Sequence, residues 1–121
     1  MRAHVLIVER DLLTRETIID LLKVLGHLGF GAESPIQGLK MLELVMFDAM
    51  IISPDITLSG EASYALEAKQ IQPKLKVIMA AAVELPEFLQ SPIDAFIQKP
   101  FSLLSLMKTF GKISIPIWIS R

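Results

Sequence analysis

Five short strand-like runs, separated by segments of helical periodicity, are the feature that most limits how this chain can fold. The most apolar runs lack the alternation of apolar and polar residues that a half-exposed strand shows, which predicts strands buried on both faces. Strands that alternate with helices form a parallel sheet with right-handed crossovers and helices on both faces. The predicted strands are Val5–Val8, His27–Ala32, Asp48–Ser53, Lys76–Ala81 and Asp94–Gln98.

The segments between the strands carry recognisable helix-end signals. Asp11, Ser34 and Ser102 each precede an apolar helical pattern and can cap the N-terminus of a helix. Gly26 is expected to end the first helix, because glycine readily adopts the left-handed conformation found there. The last helix is predicted to turn four side chains inward: Leu103, Leu106, Met107 and Phe110.

The middle helices differ in length and regularity. A third helix is predicted over Glu61–Gln70. A fourth can occupy only Leu85–Gln90, because Pro86 and Pro92 bound it, so this helix is expected to be short or irregular. The second helix is expected to present one apolar face, formed by Leu39, Leu42 and Met46.

This order of elements predicts a single α/β domain over residues 1–111, followed by an apolar tail over residues 112–121. Five parallel strands in about 110 residues fit the flavodoxin-like three-layer sandwich with strand order 2-1-3-4-5. In such sheets the functional site lies at the carboxyl ends of the strands. The residues at those ends are Glu9, Arg10, Ser53, Ala81 and Lys99.

Composition argues against several classes of function. The net charge of −1, from 12 basic and 13 acidic residues, includes no basic cluster that would neutralise nucleic-acid phosphates. The chain has no cysteine, which excludes disulfides and thiolate metal sites and fits the cytoplasm. His4 and His27 have no metal-ligand spacing. No apolar run reaches the roughly 18 residues that a membrane span needs.

Three segments resemble the corresponding parts of response regulator receiver domains, the CheY-like family. His4–Asp11 resembles the opening of that family, and Asp48–Ser53 resembles its third strand. Phe96–Phe101 resembles its last strand and the Lys-Pro-Phe corner that follows. The resemblance covers roughly residues 3–111, nearly the whole chain, and implies the CheY-like form of the predicted fold.

The resemblance also implies a site chemistry that this chain has largely lost. In the family, an acidic pair binds Mg²⁺, an aspartate accepts a phosphoryl group, and a hydroxyl and a lysine hold its oxygens. Here the acidic pair falls on Glu9 and Arg10, the acceptor falls on Ser53, and the hydroxyl position falls on Ala81. Only Lys99 and one acid remain.

The charge balance at these positions opposes a metal. Glu9, Arg10, Ser53 and Lys99 sum to about +1, and a hard dication prefers anionic oxygen ligands. We therefore expect no bound Mg²⁺ and no cofactor. Ser53 cannot form an acyl phosphate, and no nearby general base is evident that would activate it as a nucleophile.

Two further residues allow alternative interpretations. Asp55 lies two residues beyond Ser53 and could be a displaced phosphoacceptor, although Pro54 separates it from the strand and a turn-forming role is the simpler reading. Phe96 falls where the family places an aromatic switch residue, and the plainer interpretation is that it packs against the core. Lys99 is expected to contact Glu9 or a backbone carbonyl, and Arg10 to pair with Glu9, Asp11 or Asp55.

The sequence therefore predicts a pseudo-receiver, a non-enzymatic module of bacterial two-component signalling that acts through protein contacts without phosphorylation. The alternatives are a phosphoacceptor that uses Asp55 and a small flavodoxin-like ligand-binding protein. A protein partner is expected, and no nucleic acid or membrane. A homodimer could form through the tail or through the face built by the fourth helix, the fifth strand and the last helix.

The C-terminal tail has its own pattern. Isoleucine alternates with other residues from Ile113 to Ile119, which predicts a strand that Pro116 confines to a sheet edge or to an irregular extension. Such a segment can fold onto its own domain, pair with a second copy or a partner, or remain as part of a linker.

Overall fold

In a computed structural model, the five strands form one parallel sheet with the order β2-β1-β3-β4-β5. The structure describes residues 2–53, 61–82, 92–100 and 102–115. The predicted strand order is confirmed, and the observed strands begin and end within two residues of the predicted ones. They are β1 (His4–Val8), β2 (Leu28–Ala32), β3 (Ala49–Ile52), β4 (Lys76–Ala81) and β5 (Ala95–Gln98).

Helices cover both faces of the sheet and produce the predicted three layers. The described helices are α1 (Leu12–Val24), α2 (Pro35–Leu44), α3 (Glu61–Ile71) and α4 (Leu103–Lys112). On one face α1 and α4 bury side chains such as Leu22 and Phe110 against the sheet. On the other face α2 and α3 bury side chains such as Leu42 and Ala65. The short helix expected within Leu85–Gln90 lies outside the described residues. None of the described helices is long and apolar enough to cross a membrane.

The three predicted N-caps are in place. The Asp11 carboxylate accepts a hydrogen bond from the backbone N–H of Thr14, and Ser34 accepts from Gln37. Ser102 and Ser105 satisfy one another's backbone N–H groups in a capping box at the start of α4. Gly26 adopts a φ of 83° just after α1, as the sequence predicted for the end of that helix.

The end of α2 departs from the sequence prediction. Met46 was expected on the apolar face of this helix, yet the helix stops at Leu44 and Met46 is 71% exposed. The cause is Gln72, which is buried just after α3. Its side-chain amide donates to the backbone carbonyls of Leu42 and Val45, at 2.8 and 2.6 Å, and accepts from the N–H of Phe47 at 2.9 Å.

The end of α4 also differs from the predicted period-two strand. Over residues 113–115 the backbone closes a Schellman motif, in which the N–H of Ile115 donates to the carbonyl of Phe110 at 3.0 Å. Ser114 takes the left-handed conformation with a φ of 62°. Ile113 and Ile115 are both buried in the core, and this cap, not a strand, is the backbone that places them there. Residues 116–121 of the tail lie outside the described residues.

This cap gives a stability prediction. Replacing Ser114 with glycine should raise the free energy of unfolding by about 0.5–1 kcal/mol, because a side chain in the left-handed region is strained and glycine is not. Urea unfolding would measure the change. Ser63→Gly on the exposed side of α3 is the matched control, and it should lower stability, since glycine is unfavourable inside a helix. If Ser114→Gly behaved like Ser63→Gly, the strain at Ser114 would be refuted.

Candidate functional site

The sheet topology brings the ends of four strands to one edge of the molecule. Glu9 follows β1, Ser53 follows β3, Ala81 ends β4 and Lys99 follows β5. The parallel register pairs Val8 with Ile52, so the next residues, Glu9 and Ser53, lie side by side. This edge is where ligands bind in flavodoxin-like sheets.

Glu9, Ser53 and Lys99 form a closed hydrogen-bonded triangle. The Lys99 ammonium lies 2.7 Å from Glu9 Oε1 and 2.8 Å from Ser53 Oγ. The Ser53 hydroxyl in turn donates to Glu9 Oε1 at 2.9 Å. The Lys99–Glu9 contact expected from the sequence is therefore present, and Ser53 joins it.

The second oxygen of Glu9 is also engaged. Glu9 Oε2 accepts the backbone N–H of Asp11 at 3.2 Å, and the Glu9 N–H donates to the carbonyl of Ala32 at 3.0 Å. Glu9 and Ser53 are each only 2% exposed, whereas the Lys99 side chain keeps 22% of its surface accessible. The carboxylate is thus buried with a hydrogen-bond donor at each of its oxygens.

These contacts determine the protonation of Glu9. Burial alone would raise the pKa of its carboxyl group, because charge is disfavoured away from water. The hydrogen bonds from Lys99, Ser53 and the Asp11 backbone outweigh that effect, so the pKa of Glu9 lies below its usual value of 4.5. Glu9 is therefore an anion at neutral pH and a weak base.

This arrangement gives Ser53 little nucleophilic character. A serine hydroxyl becomes a nucleophile when a neighbouring base takes its proton. The group that accepts the hydrogen bond of the Ser53 hydroxyl is Glu9, and the lowered pKa of Glu9 makes it a poor base. Lys99 is held in an ion pair with the same carboxylate.

Arg10 does not pair with either of the two predicted partners that the structure describes. Its side chain is exposed, and among the described residues it forms no ion pair with Glu9 or Asp11. The remaining predicted partner, Asp55, lies outside the described residues. Arg10 points outward because the chain turns away from the sheet after Glu9, where Asp11 caps α1.

Arg15 is the basic residue that supports this corner, and sequence reasoning missed it. Its guanidinium donates to the backbone carbonyl of Glu9 at 2.7 Å. The Arg15 stem lies across β2 at Gly31, where an added Cβ would come within 2.7 Å of Arg15 Cδ. The available signal was Gly31 itself, a residue without a side chain in a strand that α1 must cover.

The remaining predicted positions are structurally simple. Ala81 is buried, and its carbonyl accepts the Lys99 N–H at 2.7 Å, so it supplies a backbone contact and no side-chain hydroxyl. The Phe96 ring is partly buried against the core cluster beneath α2 and α3. Asp55 cannot be placed, because it lies outside the described residues.

The donor set is poor for a divalent cation. Mg²⁺ requires near-octahedral oxygen ligands, usually including carboxylates, that are available to it. Among the described residues no group of three or more His, Cys, Asp and Glu side chains is arranged to hold a metal ion. Glu9, the carboxylate that the described residues place in this triangle, already accepts hydrogen bonds at both oxygens.

The strand order and the position of the site at the strand ends place this chain in the class of receiver-domain folds. Comparison with solved structures supports this assignment of the fold. The chain superposes on the chemotaxis response regulator CheY4 of Vibrio cholerae with a TM-score of 0.81 and 18% identity, covering 93% of this chain and 99% of that one. A CheY-like receiver domain protein from Methanospirillum hungatei JF-1 gives a TM-score of 0.81 and 21% identity, covering 94% and 95% of the two chains.

A third similar structure was determined with a metal. The receiver domain of the sensor histidine kinase PA1611 from Pseudomonas aeruginosa PAO1 holds a magnesium ion in its active-site cleft. It matches with a TM-score of 0.78 and 20% identity, covering 94% of this chain and 99% of that one. No protein-family model matches the sequence, and no curated protein matches it significantly. The likeness is therefore one of fold, the CheY-like receiver fold.

Proposed function

We propose that this chain is a receiver-like module of bacterial two-component signalling that works through protein contacts and without aspartyl phosphorylation. The observation that carries the proposal is the closed triangle of Glu9, Ser53 and Lys99. In this triangle a neutral hydroxyl stands at the strand-three position, and the lysine is already neutralised by the single carboxylate.

Charge supports the absence of a metal step. Glu9 and Lys99 cancel one another in an ion pair, so the triangle carries no net negative charge. A hard dication prefers anionic oxygen ligands, and the described residues of this site offer it none that is not already paired. It would also have to displace Lys99 from Glu9 Oε1. We infer that the site is stable without Mg²⁺.

The missing hydroxyl supports the absence of a phosphate-dependent switch. A residue that follows phosphorylation must hydrogen-bond to the phosphoryl group, and the methyl side chain of Ala81 cannot do so. Phe96, on the neighbouring strand, then has no such group through which to sense the site. The site is held in one state.

The surface near the site supports a contact function. Leu13 at the start of α1 is 74% exposed, and Leu104 at the start of α4 is 58% exposed. A cavity of about 320 Å³ is lined by Leu13, Ile18, Leu21 and Pro100 together with Lys99. Exposed apolar side chains beside a cavity are typical of protein-interaction surfaces.

Titration with Mg²⁺ and beryllofluoride, which mimics an aspartyl phosphate, tests this proposal. The native chain should show no saturable change in Trp118 fluorescence or amide NMR spectra, and no added phosphate by mass spectrometry after acetyl phosphate treatment. The matched control is the triple variant Arg10→Asp, Ser53→Asp and Ala81→Thr, which restores the missing side-chain types. This variant should gain Mg²⁺-dependent binding.

Two outcomes would overturn the proposal. Saturable beryllofluoride binding by the native chain would do so directly. Phosphorylation of the native chain that disappears in Asp55→Asn would instead establish Asp55 as a phosphoacceptor. Phosphorylation of any other aspartate would refute the proposal equally, because the proposal excludes an aspartyl phosphate.

A further inference from the structure

The outer edge of β2 has no paired strand in the part of the chain that the structure describes. β2 ends the sheet at one side. Open strand edges offer backbone N–H and C=O groups for pairing with another chain, and proteins usually protect them with charges or proline. From Val24 to Ala32 the sequence contains neither.

The backbone groups on that open edge can be identified from the pairing with β1. Leu28 donates its N–H to Ala3, and Ala32 accepts from the N–H of Glu9, so residues 28, 30 and 32 bond inward to β1. Because successive residues of a strand point their backbone groups to opposite sides, Gly29 and Gly31 direct theirs outward. The edge therefore offers two N–H and two C=O groups, placed symmetrically about Phe30.

The side chains beside this edge are apolar and exposed. Leu28 and Phe30 are 37% and 38% exposed, on the face of the sheet that α2 covers. Three more exposed apolar side chains lie at and after the end of α2, the helix on this face of the sheet: Leu44, Val45 and Met46.

The geometry points to a second copy of this chain as the occupant: we propose that two β2 strands pair antiparallel about a two-fold axis at Phe30. In that register Gly29 of one protomer faces Gly31 of its partner, and four hydrogen bonds satisfy every outward-facing group of both strands. The two Phe30 side chains form the central non-hydrogen-bonded pair and lie on the same face. The two sheets become one continuous sheet.

A second copy suits the edge better than a different protein does. The hydrogen-bonding groups are symmetric about Phe30, so an identical strand matches them without any gap. The absence of charge from residues 24 to 32 gives no electrostatic preference for a partner of opposite sign. Aromatic pairs are also favourable directly across antiparallel strands.

The Phe30 side chain is already restricted in the single chain, before any pairing. Its ring makes edge contacts with His4 at 5.8 Å and Phe47 at 5.7 Å between centroids. Two ring contacts restrict the side chain while more than a third of it remains exposed. Little conformational freedom is then lost when the dimer forms.

A disulfide test reads the register directly. The chain has no cysteine, so Phe30→Cys introduces a single thiol. Non-hydrogen-bonded antiparallel pairs place Cα atoms about 4.5 Å apart, within the range a disulfide spans. Mild oxidation should convert Phe30→Cys largely to a covalent dimer, whereas Leu66→Cys, a similarly exposed site on α3, should remain mostly monomeric.

Sedimentation of the reduced proteins provides the second readout. The native chain should show concentration-dependent dimerisation between about 10 and 500 µM, since one strand pair makes a small interface. Phe30→Lys should be monomeric throughout that range and Leu66→Lys should match the native chain, with circular dichroism confirming that both fold. A native chain that stays monomeric, a dimer that survives Phe30→Lys, or equal crosslinking of Leu66→Cys would each overturn the proposal. None of these outcomes bears on whether Ser53 is phosphorylated.

Discussion

Replacing Lys99 with methionine should lower the free energy of unfolding by about 3–5 kcal/mol at neutral pH, because it leaves the Glu9 carboxylate buried without a cation. The two atoms of the ion pair are 2.7 Å apart, and Glu9 is 2% exposed. Methionine retains much of the lysine stem, so the loss is mainly electrostatic. Chemical denaturation measured by circular dichroism would give the value.

The same variant should reverse the contribution of Glu9 to the pH dependence of stability. In the native chain the pKa of Glu9 is lowered on folding, so its stabilisation is present above the unfolded pKa of 4.5 and is lost as pH falls through the folded value. Without Lys99, burial should raise the folded pKa above 4.5. Stability should then fall as pH rises through that range, because the unfolded state releases its proton first.

Lys108→Met is the matched control for this pair of measurements. Lys108 is exposed on α4, and its replacement should change stability by no more than about 0.5 kcal/mol. If Lys99→Met resembled Lys108→Met in magnitude and pH slope, the triangle of Glu9, Ser53 and Lys99 would not be an electrostatic unit.

Replacing Gln72 with leucine should destabilise the fold by about 2–4 kcal/mol, since it leaves several buried backbone groups without partners. Gln72 is 3% exposed and makes three side-chain hydrogen bonds, two to carbonyls around the end of α2 and one to the start of the β3 segment. Leucine is close in volume, so the cost reflects lost hydrogen bonds and not a cavity. Urea unfolding would measure it.

Two further variants test whether the lost hydrogen bonds of Gln72 cause this destabilisation. Gln70→Leu, two residues earlier and exposed, should have little effect. Gln72→Glu keeps the shape but places a carboxylate against the carbonyls of Leu42 and Val45, so it should be at least as damaging at pH 7 and partly rescued by acid. A Gln72→Leu protein as stable as Gln70→Leu would show that these hydrogen bonds contribute nothing net.

The strand order could be predicted from the sequence because it follows from topology. Runs such as Val5–Val8 and Lys76–Ala81 identify buried strands, and right-handed crossovers leave few ways to arrange them. Helix starts were predictable for a similar reason, since Asp11, Ser34 and Ser102 act within their own helical turns. Local chemistry determines these features.

Two helix ends were predicted wrongly, one because of a contact distant in sequence and one because of an ambiguous local pattern. The end of α2 depends on Gln72, which lies 30 residues after Leu42, so the local pattern continued the helical face to Met46. The alternation from Ile113 did not reveal the helix cap. Ile113 and Ile115 are both buried in the cap, and the same two residues would also be buried together on one face of a strand.

The site was partly predictable for topological reasons. Parallel strands bring their carboxyl ends together, so Glu9, Ser53 and Lys99 were expected to meet, and they do. The direction in which each arginine side chain near the end of β1 points was not predictable. Arg10 and Arg15 are both near the end of β1, and the path of the chain into α1 decides which one reaches back to the sheet.

The triangle at the strand ends has a consequence for how such a chain can change over generations. The Ser53 hydroxyl donates a hydrogen bond to Glu9 and accepts one from Lys99, and these two residues form an ion pair with each other. An aspartate introduced there alone would place a second anion beside Glu9, and the two carboxylates would have to share the single Lys99 ammonium. Turning this site into a phosphoacceptor would therefore require several simultaneous changes around Ser53, because a single aspartate is unfavourable in the triangle as it stands.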